Sequence, residues 1–254
     1  MINQQLVDGI LKIVLNRPEK KNAFTNAMYR ELTRILTDGD QNPQVKVMLI
    51  SGAGNAFSAG NDIADFMKSP ITHEDAPPIN LLKVLAGLNK PLIAAVDGVA
   101  VGIGATLLFH CDLVYAQKNA RFIFPFISLG LVPEGAISLL LPRLVGHQRA
   151  SEILLFGEPI SAEEAKHIGF VNHIVEEPSA LAYAEARARK LTALSLGSVI
   201  KTKSLLKGND LKAAVLNQID IEGKAFIDRL HGLAAKEALT SFLEKRAPNF
   251  EGLD

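Results

Sequence analysis

The stretch PLIAAVDGVAVGIG, residues 91–104, contains the pattern that decides the fold of this chain. An apolar run ends in a glycine-rich turn, which predicts a buried strand that leads through a tight turn into a helix. The stretch VKVMLISGAG, residues 45–54, has the same design earlier in the chain. A third pair of apolar segments, CDLVYA and RFIFP, follows at residues 111–116 and 121–125. The repeated pattern predicts a mixed α/β core.

The flanking segments have their own local signals. GILKIVLNRP, residues 9–18, mixes alternation with β-branched residues and ends at a proline, which predicts a strand. From Thr25 onward apolar residues recur at helical spacing, and Thr25 is the expected N-cap. Ser161 and Glu164 have the spacing of a capping box, which predicts a short helix.

The chain has no low-complexity segment and no obvious linker. After about residue 178 the pattern is helical to the end. We therefore predict a core over residues 1–195 and a helical C-terminal oligomerisation region over residues 196–254. The polar, proline-containing segment 67–80 is predicted to be a mobile loop.

Composition and charge argue against several kinds of partner. Lys+Arg and Asp+Glu both number 27 among 254 residues, so the formal net charge is zero and nothing attracts nucleic acid. The longest apolar stretch, residues 91–109, is broken by Asp97 and by glycines, which argues against a membrane span. The single cysteine, Cys111, suits a buried reduced thiol, and no signal peptide is apparent. We therefore expect a cytoplasmic protein that binds neither nucleic acid nor membrane.

Common metal and cofactor motifs have little support. His167 and His173 are the only close pair of histidines, and their spacing fits no common metal site. There is no G-x-S-x-G motif for a nucleophilic serine. The segment 98–107 looks like a dinucleotide fingerprint, but Leu107 stands where the third glycine belongs. We expect no metal and no separate cofactor.

Two glycine turns could nevertheless form a catalytic feature. They are AFSAGND, residues 56–62, and VAVGIGA, residues 99–105. Turns between a strand and a helix can point main-chain N–H groups at one shared spot, and two such donors form an oxyanion hole. The alternative is that these glycines serve only the packing of helix against sheet.

One carboxylate stands out in RFIFPFISLGLVPEGAISLLLP, residues 121–142. Glu134 lies between Pro133 and Gly135, among aromatic and aliphatic neighbours. It is either a solvated turn residue or a base whose pKa is raised by a dry environment. The residues that could provide that dry environment are Phe122, Phe124, Phe126, Ile127 and Leu131.

Five segments in order resemble the crotonase, or enoyl-CoA hydratase/isomerase, superfamily: LNRPEKKNAF, GAGNAFSAGNDI, PLIAAVDGVAVGIGATLLFHCDLVYA, ARFIFPFISLGLVPEG and GEPISAEEAKHIGFVNHIV. The resemblance covers nearly the whole chain. It implies an α/β crotonase-like spiral of ββα repeats with a helical C-terminal trimerisation region. It also implies an acyl-CoA thioester substrate, with coenzyme A as part of that substrate, and a homotrimer or a dimer of trimers.

The resemblance also implies site residues. The thioester oxygen would be held by the main-chain N–H groups of Asn61 and Ile103. Typical hydratases carry two glutamates, at the positions of Thr106 and Phe126 here, so the usual pair is missing. Glu134 resembles the single glutamate of peroxisomal-type Δ3,Δ2-enoyl-CoA isomerases, and one base is enough to move a double bond from position 3 to position 2. That isomerisation is the expected activity.

For the CoA part, the resemblance points to residues in the two N-terminal motifs and near the C-terminus. The candidates are Lys20, Lys21, Ser58, Gly60, Asp62, Ile63, Phe242 and Lys245. The two N-terminal lysines could equally be solvated, and the phenylalanine could equally serve helix packing. Two alternatives to the isomerase stay open, namely a hydratase or another crotonase reaction, and a non-catalytic acyl-CoA-binding relative.

Overall fold

A computed structural model of the protein describes residues 1–68, 72–73, 75–177 and 179–253. The strands in these ranges are β1 (Ile2–Val7), β2 (Ile10–Leu15), β3 (Val47–Gly52), β4 (Ala56–Ser58), β5 (Leu92–Val96), β6 (Val99–Val101), β7 (Leu113–Gln117), β8 (Arg121–Ile123), β9 (Ile160–Ser161) and β10 (His173–Val175). The helices are α1 (Asn26–Gln41), α2 (Ile63–Lys68), α3 (Pro77–Gly87), α4 (Ile103–Thr106), α5 (Ile137–Val145), α6 (His147–Phe156), α7 (Ala162–His167), α8 (Ala180–Thr192), α9 (Leu196–Lys207), α10 (Asn209–Leu230) and α11 (Leu233–Glu244).

The strands form two sheets. The larger sheet has the order β1-β2-β3-β5-β7-β10, in which β1 and β2 are antiparallel and the other neighbours are parallel. Strands β3 and β5 are almost wholly buried, as expected of parallel strands that are covered on both faces. Helix α8 covers one face with Ala180, Ala184 and Ala188. The main hydrophobic core lies against the other face.

The smaller sheet, in the order β4-β6-β8-β9, explains the repeated sequence pattern. In three successive units the first strand (β3, β5 or β7) joins the larger sheet and the second strand (β4, β6 or β8) joins the smaller one. Successive units are therefore neighbours in both sheets. Their turns pack closely, since a Cβ atom on Gly98 would lie 2.0 Å from the carbonyl oxygen of Asn55. The predicted spiral of ββα repeats is confirmed.

Several local predictions are also confirmed. The side chain of Thr25 accepts a hydrogen bond from the N–H of Met28 at 3.3 Å and caps α1. Ser161 accepts one from the N–H of Glu164 at 3.1 Å and caps α7.

Strand β1 is not predicted by the sequence pattern, because half of INQQLV is polar and four of its six residues are exposed. It forms because Asp8 and Gly9 both have positive φ angles, 51° and 80°, as a tight hairpin turn requires. The predicted loop 67–80 is shorter than expected, since α2 extends to Lys68 and α3 begins at Pro77. Residues 69–71 and 74 of that segment lie outside the described residues.

The C-terminal part is helical, as predicted. Helix α9 begins at Leu196, and α10 packs against α3 and α5. The division of the chain into two regions at residue 195 stays a prediction. Among the described helices none is both long enough and apolar enough to cross a bilayer.

Candidate active site

A cavity of about 590 Å³ brings the three predicted catalytic residues together. Asn61, Ile103 and Glu134 all line it. Most of the remaining wall is apolar and comes from α2, the loop after β8 and the two last helices. Its phenylalanine and leucine residues are Phe66, Phe126, Leu129, Leu131, Phe226, Leu239, Phe242 and Leu243.

The first glycine turn leaves the main-chain N–H of Asn61 available. The bridge between Phe24 and Asn61 uses the N–H of Phe24, which donates to the carbonyl of Gly60 at 2.7 Å. It also uses the N–H of Asp62, which donates to the carbonyl of Phe24 at 2.8 Å. Because successive N–H groups of extended chain alternate in direction, the N–H of Asn61 points away from this bridge.

The second glycine turn leaves the main-chain N–H of Ile103 available, because Ile103 is the first residue of α4. The first N–H groups of a helix have no acceptor within the helix. Within the described part of the chain, neither Asn61 nor Ile103 donates its main-chain N–H to a protein acceptor.

The two turns are in direct contact. Gly60 has φ +86°, and a Cβ atom there would lie 2.8 Å from the carbonyl oxygen of Val101. A side chain at this position would push the turns apart. Each free N–H therefore follows a glycine whose conformation or close packing disfavours a side chain.

Tyr29 fixes the side chain of Asn61. Its hydroxyl donates a hydrogen bond of 2.6 Å to Oδ1 of Asn61. Its ring is buried and stacks on Phe24 at a centroid distance of 5.0 Å. Burial, with the negative charge of Glu134 as a second cause, raises the pKa of the Tyr29 hydroxyl well above its ordinary value. Tyr29 therefore stays a neutral donor beside the site.

Glu134 is in an environment that favours its protonated form. Part of the residue faces the cavity, but its carboxylate lies among buried neighbours, and this burial raises its pKa from 4.5 to about 8. Thr106 donates a hydrogen bond of 2.5 Å to Oε1 of Glu134, which lowers the pKa, whereas the charge of Glu222 raises it. The interpretation of Glu134 as a solvated turn residue does not fit this geometry.

The backbone beside Glu134 is held by His110. Burial, with the charge of Lys207 as a second cause, lowers the pKa of His110 to about 4, so the imidazole is neutral. Its Nε2 lies 2.9 Å from the carbonyl oxygen of Gly135. Because a carbonyl oxygen can only accept, Nε2 carries the proton and donates it. This bond anchors the residue that follows Glu134.

Five of the predicted CoA-contacting residues line the cavity: Lys20, Gly60, Asp62, Ile63 and Phe242. Asp62 is engaged within the fold, since its Oδ2 accepts from Nη1 of Arg17 at 2.6 Å. Although burial opposes it, this pairing and hydrogen bonds from the start of α2 lower the pKa of Asp62. Of the cavity-lining carboxylates among the described residues, only Glu134 therefore lacks a cationic partner.

Three other predicted residues do not line the cavity. Ser58 is fully buried, and its hydroxyl donates to the carbonyl of Asn22 and accepts from the N–H of Gly60. Ser58 thus shapes the first glycine turn from within, and its contact with CoA stays a prediction. Lys21 and Lys245 are exposed in left-handed conformations outside the lining of this chain.

The apolar wall differs in part from the prediction. Phe126 and Leu131 line the cavity as expected. Phe122 and Phe124 lie in the core instead, each against Phe170. Ile127 is largely exposed. The wall is completed by Phe66 and Phe226, which meet edge to face at 6.4 Å and were not predicted.

Two neighbouring N–H donors and a carboxylate with a raised pKa in one apolar cavity define a site suited to stabilising an oxyanion next to a proton-transfer step. Comparison with known proteins agrees with this class of site. The sequence model of the enoyl-CoA hydratase/isomerase family matches residues 5–253. The chain therefore belongs to the enoyl-CoA hydratase/isomerase family, whose fold is the crotonase fold.

Three similar proteins illustrate the range of the family. The 1,2-epoxyphenylacetyl-CoA isomerase of Escherichia coli K12 is 34% identical over 96% of this chain and 95% of its own length. Enoyl-CoA delta isomerase 2 of Rattus norvegicus is 35% identical over 80% of this chain and 53% of its own length. The structure of OdaA from Pseudomonas aeruginosa is 40% identical, with a TM-score of 0.92 over 95% of this chain and 98% of that one. Family membership implies an acyl-CoA enzyme but does not distinguish an isomerase from a hydratase.

Proposed function

We propose that the protein is a Δ3,Δ2-enoyl-CoA isomerase, which moves the double bond of a 3-enoyl-CoA to position 2. The observation that carries this proposal is Glu134, which among the described cavity-lining carboxylates is the one without a cationic partner, in the cavity that also contains the free N–H groups of Asn61 and Ile103. A raised pKa of about 8 makes Glu134 a stronger base when ionised than an ordinary carboxylate.

The reaction needs one base and one oxyanion hole. Ionised Glu134 removes a proton from C2 of the 3-enoyl thioester, and the electron pair of that C–H bond forms a dienolate with its negative charge on the thioester oxygen. The N–H groups of Asn61 and Ile103 donate to that oxygen, each contributing about 3 kcal/mol to the stability of the transition state. Glu134 then returns the proton to C4, which leaves the double bond between C2 and C3. No proton is gained or lost overall.

A hydratase reaction has less support. Adding water needs one group to deprotonate the water and another to protonate the substrate carbon. By the family resemblance, Thr106 and Phe126 occupy the positions at which typical hydratases carry glutamates. Neither residue can transfer a proton as a carboxylate does. Thr106 instead donates its hydroxyl proton to a hydrogen bond with Glu134.

Recognition of the CoA part would use the cavity mouth. Lys20 lines the cavity beside the first glycine turn and is suited to a phosphate contact. Gly60, Ile63 and Phe242 would contact the remaining part of the acyl-CoA molecule. We also propose that the protein assembles as a trimer or a dimer of trimers, in which Lys21 or Lys245 could approach the site of a neighbouring subunit.

A second isomerisation is a specific rival. The 1,2-epoxyphenylacetyl-CoA isomerase matches 96% of this chain, whereas the delta isomerase matches 80%. That reaction would place a ring beside Phe126 and Phe226 in the same cavity. Both isomerisations would use a CoA thioester and the same oxyanion hole.

A substrate panel tests the proposal. Purified protein is incubated with 3-enoyl-CoA, 2-enoyl-CoA and 1,2-epoxyphenylacetyl-CoA, and the products are identified by mass spectrometry and by the absorbance of the conjugated thioester. We expect conjugation of the 3-enoyl-CoA and little 3-hydroxyacyl-CoA from the 2-enoyl-CoA. Predominant hydration, or turnover of the epoxide alone, would overturn the proposal. Binding of a saturated acyl-CoA without turnover of any substrate would indicate a non-catalytic relative.

A further inference from the structure

Glu222 of α10 holds the segment that carries Glu134, although it does not line the cavity itself. Its Oε2 accepts a hydrogen bond of 2.5 Å from the N–H of Ala136. Its Oε1 accepts from the N–H of Ser138 at 3.0 Å and from the hydroxyl of Ser138 at 2.5 Å. Glu222 is 5% exposed, so these bonds form away from bulk water.

The start of α5 needs this distant carboxylate. Ala136 is the N-cap residue of α5, and an alanine side chain cannot accept the free N–H groups there. Ala136 also has φ +60°, a left-handed conformation that disfavours residues with a Cβ atom. A negative charge at a helix N-terminus is stabilising, and Glu222 supplies it from another helix.

The rest of the network supports the same arrangement. Nε2 of Gln218, one turn before Glu222 on α10, donates to the hydroxyl oxygen of Ser138 at 2.9 Å. His110 holds the carbonyl of Gly135 from the other side. The backbone is therefore fixed at three points within the four residues after Glu134, namely Gly135, Ala136 and Ser138.

We propose that Glu222 is a positioning residue, which orients Glu134 toward the oxyanion hole by fixing the main chain of Ala136 and Ser138. This inference rests on the proposed function of Glu134 as the base. Both oxygens of Glu222 accept from N–H donors, so an amide at this position would turn an NH₂ group toward one of those donors. Loosening the segment would move the Glu134 carboxylate relative to C2 of the substrate, and displacements of about 1 Å can cost about 10²-fold in rate.

The test is Glu222→Gln, with Asp220→Asn as the matched control. Asp220 is on the same helix, and its half-exposed carboxylate pairs with Lys83 of α3 rather than with the segment after Glu134. At a pH well above 8, where Glu134 is ionised with or without the charge of Glu222, we expect kcat of Glu222→Gln for the 3-enoyl-CoA to fall by roughly tenfold or more while KM changes by less than about threefold, because the cavity lining is intact. Asp220→Asn should keep both constants near those of the unmodified protein.

Hydrogen exchange at the amides of residues 136–140, followed by mass spectrometry, gives a readout that does not depend on turnover. Faster exchange in Glu222→Gln than in Asp220→Asn is expected. Unchanged exchange together with an unchanged kcat would overturn the inference. If the unmodified protein converts no 3-enoyl-CoA, the proposed function fails, while the exchange rates still show whether Glu222 holds the segment.

A second variant covers the case in which Glu222→Gln does not fold. Glu222→Asp keeps the charge but is one methylene shorter, so it cannot accept from both Ala136 and Ser138. We expect a lower kcat with little change in KM. A folded Glu222→Asp protein with unchanged kcat, KM and exchange would also overturn the inference.

Discussion

The hydroxyl of Thr106 donates a hydrogen bond of 2.5 Å to Oε1 of Glu134. This bond connects the helix after the second glycine turn to the loop that carries the candidate base. A hydrogen bond to a carboxylate favours the ionised form, so Thr106 lowers the pKa that burial raises. Thr106 therefore increases the fraction of Glu134 that is ionised near neutral pH.

The pH dependence of activity tests this balance. Because only ionised Glu134 can accept the C2 proton, kcat/KM should rise with pH and level off above a midpoint of about 8. Thr106→Val removes the donor, so the midpoint should move to higher pH and the rate at pH 7 should fall. A pH–rate profile of both proteins measures the shift. A midpoint that stays or moves to lower pH in Thr106→Val would contradict the role given to this bond.

Replacing the base itself should nearly abolish turnover. Glu134→Gln keeps the size of the side chain and removes its basic electron pair, so isomerisation should fall by roughly 10²-fold or more. Calorimetric titration with a saturated acyl-CoA should show nearly unchanged affinity. Glu163→Gln, at an exposed position on α7, is the matched control and should keep full activity. Isomerase activity retained in Glu134→Gln would require another base.

Glu134→Gln, which should lower activity, should increase stability relative to the unmodified protein as the pH rises. The folded-state pKa of Glu134 is about 8, above its ordinary 4.5, so its contribution to stability is complete below about 4.5 and is lost as pH rises to about 8. Glu134→Gln does not undergo this loss. Relative to the unmodified protein, the free energy of unfolding of the variant should therefore increase over this pH range. Urea denaturation at both ends of the range measures the difference, and a difference that is constant with pH would argue against the raised pKa.

Local features of this structure could be predicted from sequence because their partners are close along the chain. Thr25 caps α1 through an N–H three residues away, and the apolar runs of the repeats are the buried strands. The placement of Asn61, Ile103 and Glu134 around one cavity agrees with the family resemblance. Their catalytic roles stay predictions.

The supporting contacts could not be predicted, because their partners are far apart in sequence. Glu222 and Ala136 are separated by 86 residues, and Tyr29 and Asn61 by 32. In the sequence Glu222 is an ordinary helical glutamate, and nothing local indicates that it caps α5. Phe226 similarly shows no signal that it faces a cavity rather than the core.

Two exposed side chains near the C-terminus bear on the expected assembly. Leu230 and Leu239 are buried within their own chain at 8% and 6% exposure and are not available to a partner. Leu233 and Phe242 remain 61% and 59% exposed, and large apolar side chains in such positions suit a partner surface. We expect a trimer or hexamer by light scattering at micromolar concentration. A monomeric mass would contradict it, and Leu233→Asp should shift the mass toward the monomer if this surface is the interface.

The oxyanion hole can be tested by removing one main-chain donor. Ile103→Pro deletes the N–H of Ile103, and proline is tolerated at the first position of a helix. Because the dienolate oxygen would lose one of two donors, kcat/KM should fall by roughly 10²- to 10³-fold. Ile103→Val keeps the N–H and is the control for altered packing.

Circular dichroism and thermal melting establish that Ile103→Pro is folded before its rate is interpreted. A folded variant with nearly full activity would rule out the N–H of Ile103 as an oxyanion donor. In the unmodified protein, a bound acyl-CoA should place its thioester oxygen about 3 Å from the main-chain nitrogens of both Asn61 and Ile103, since a donor acts on a developing charge only at hydrogen-bonding distance. If the oxygen instead contacts only one of them, the remaining stabilisation must come from a side chain, and the candidate is the amide of Asn61, which Tyr29 holds in place.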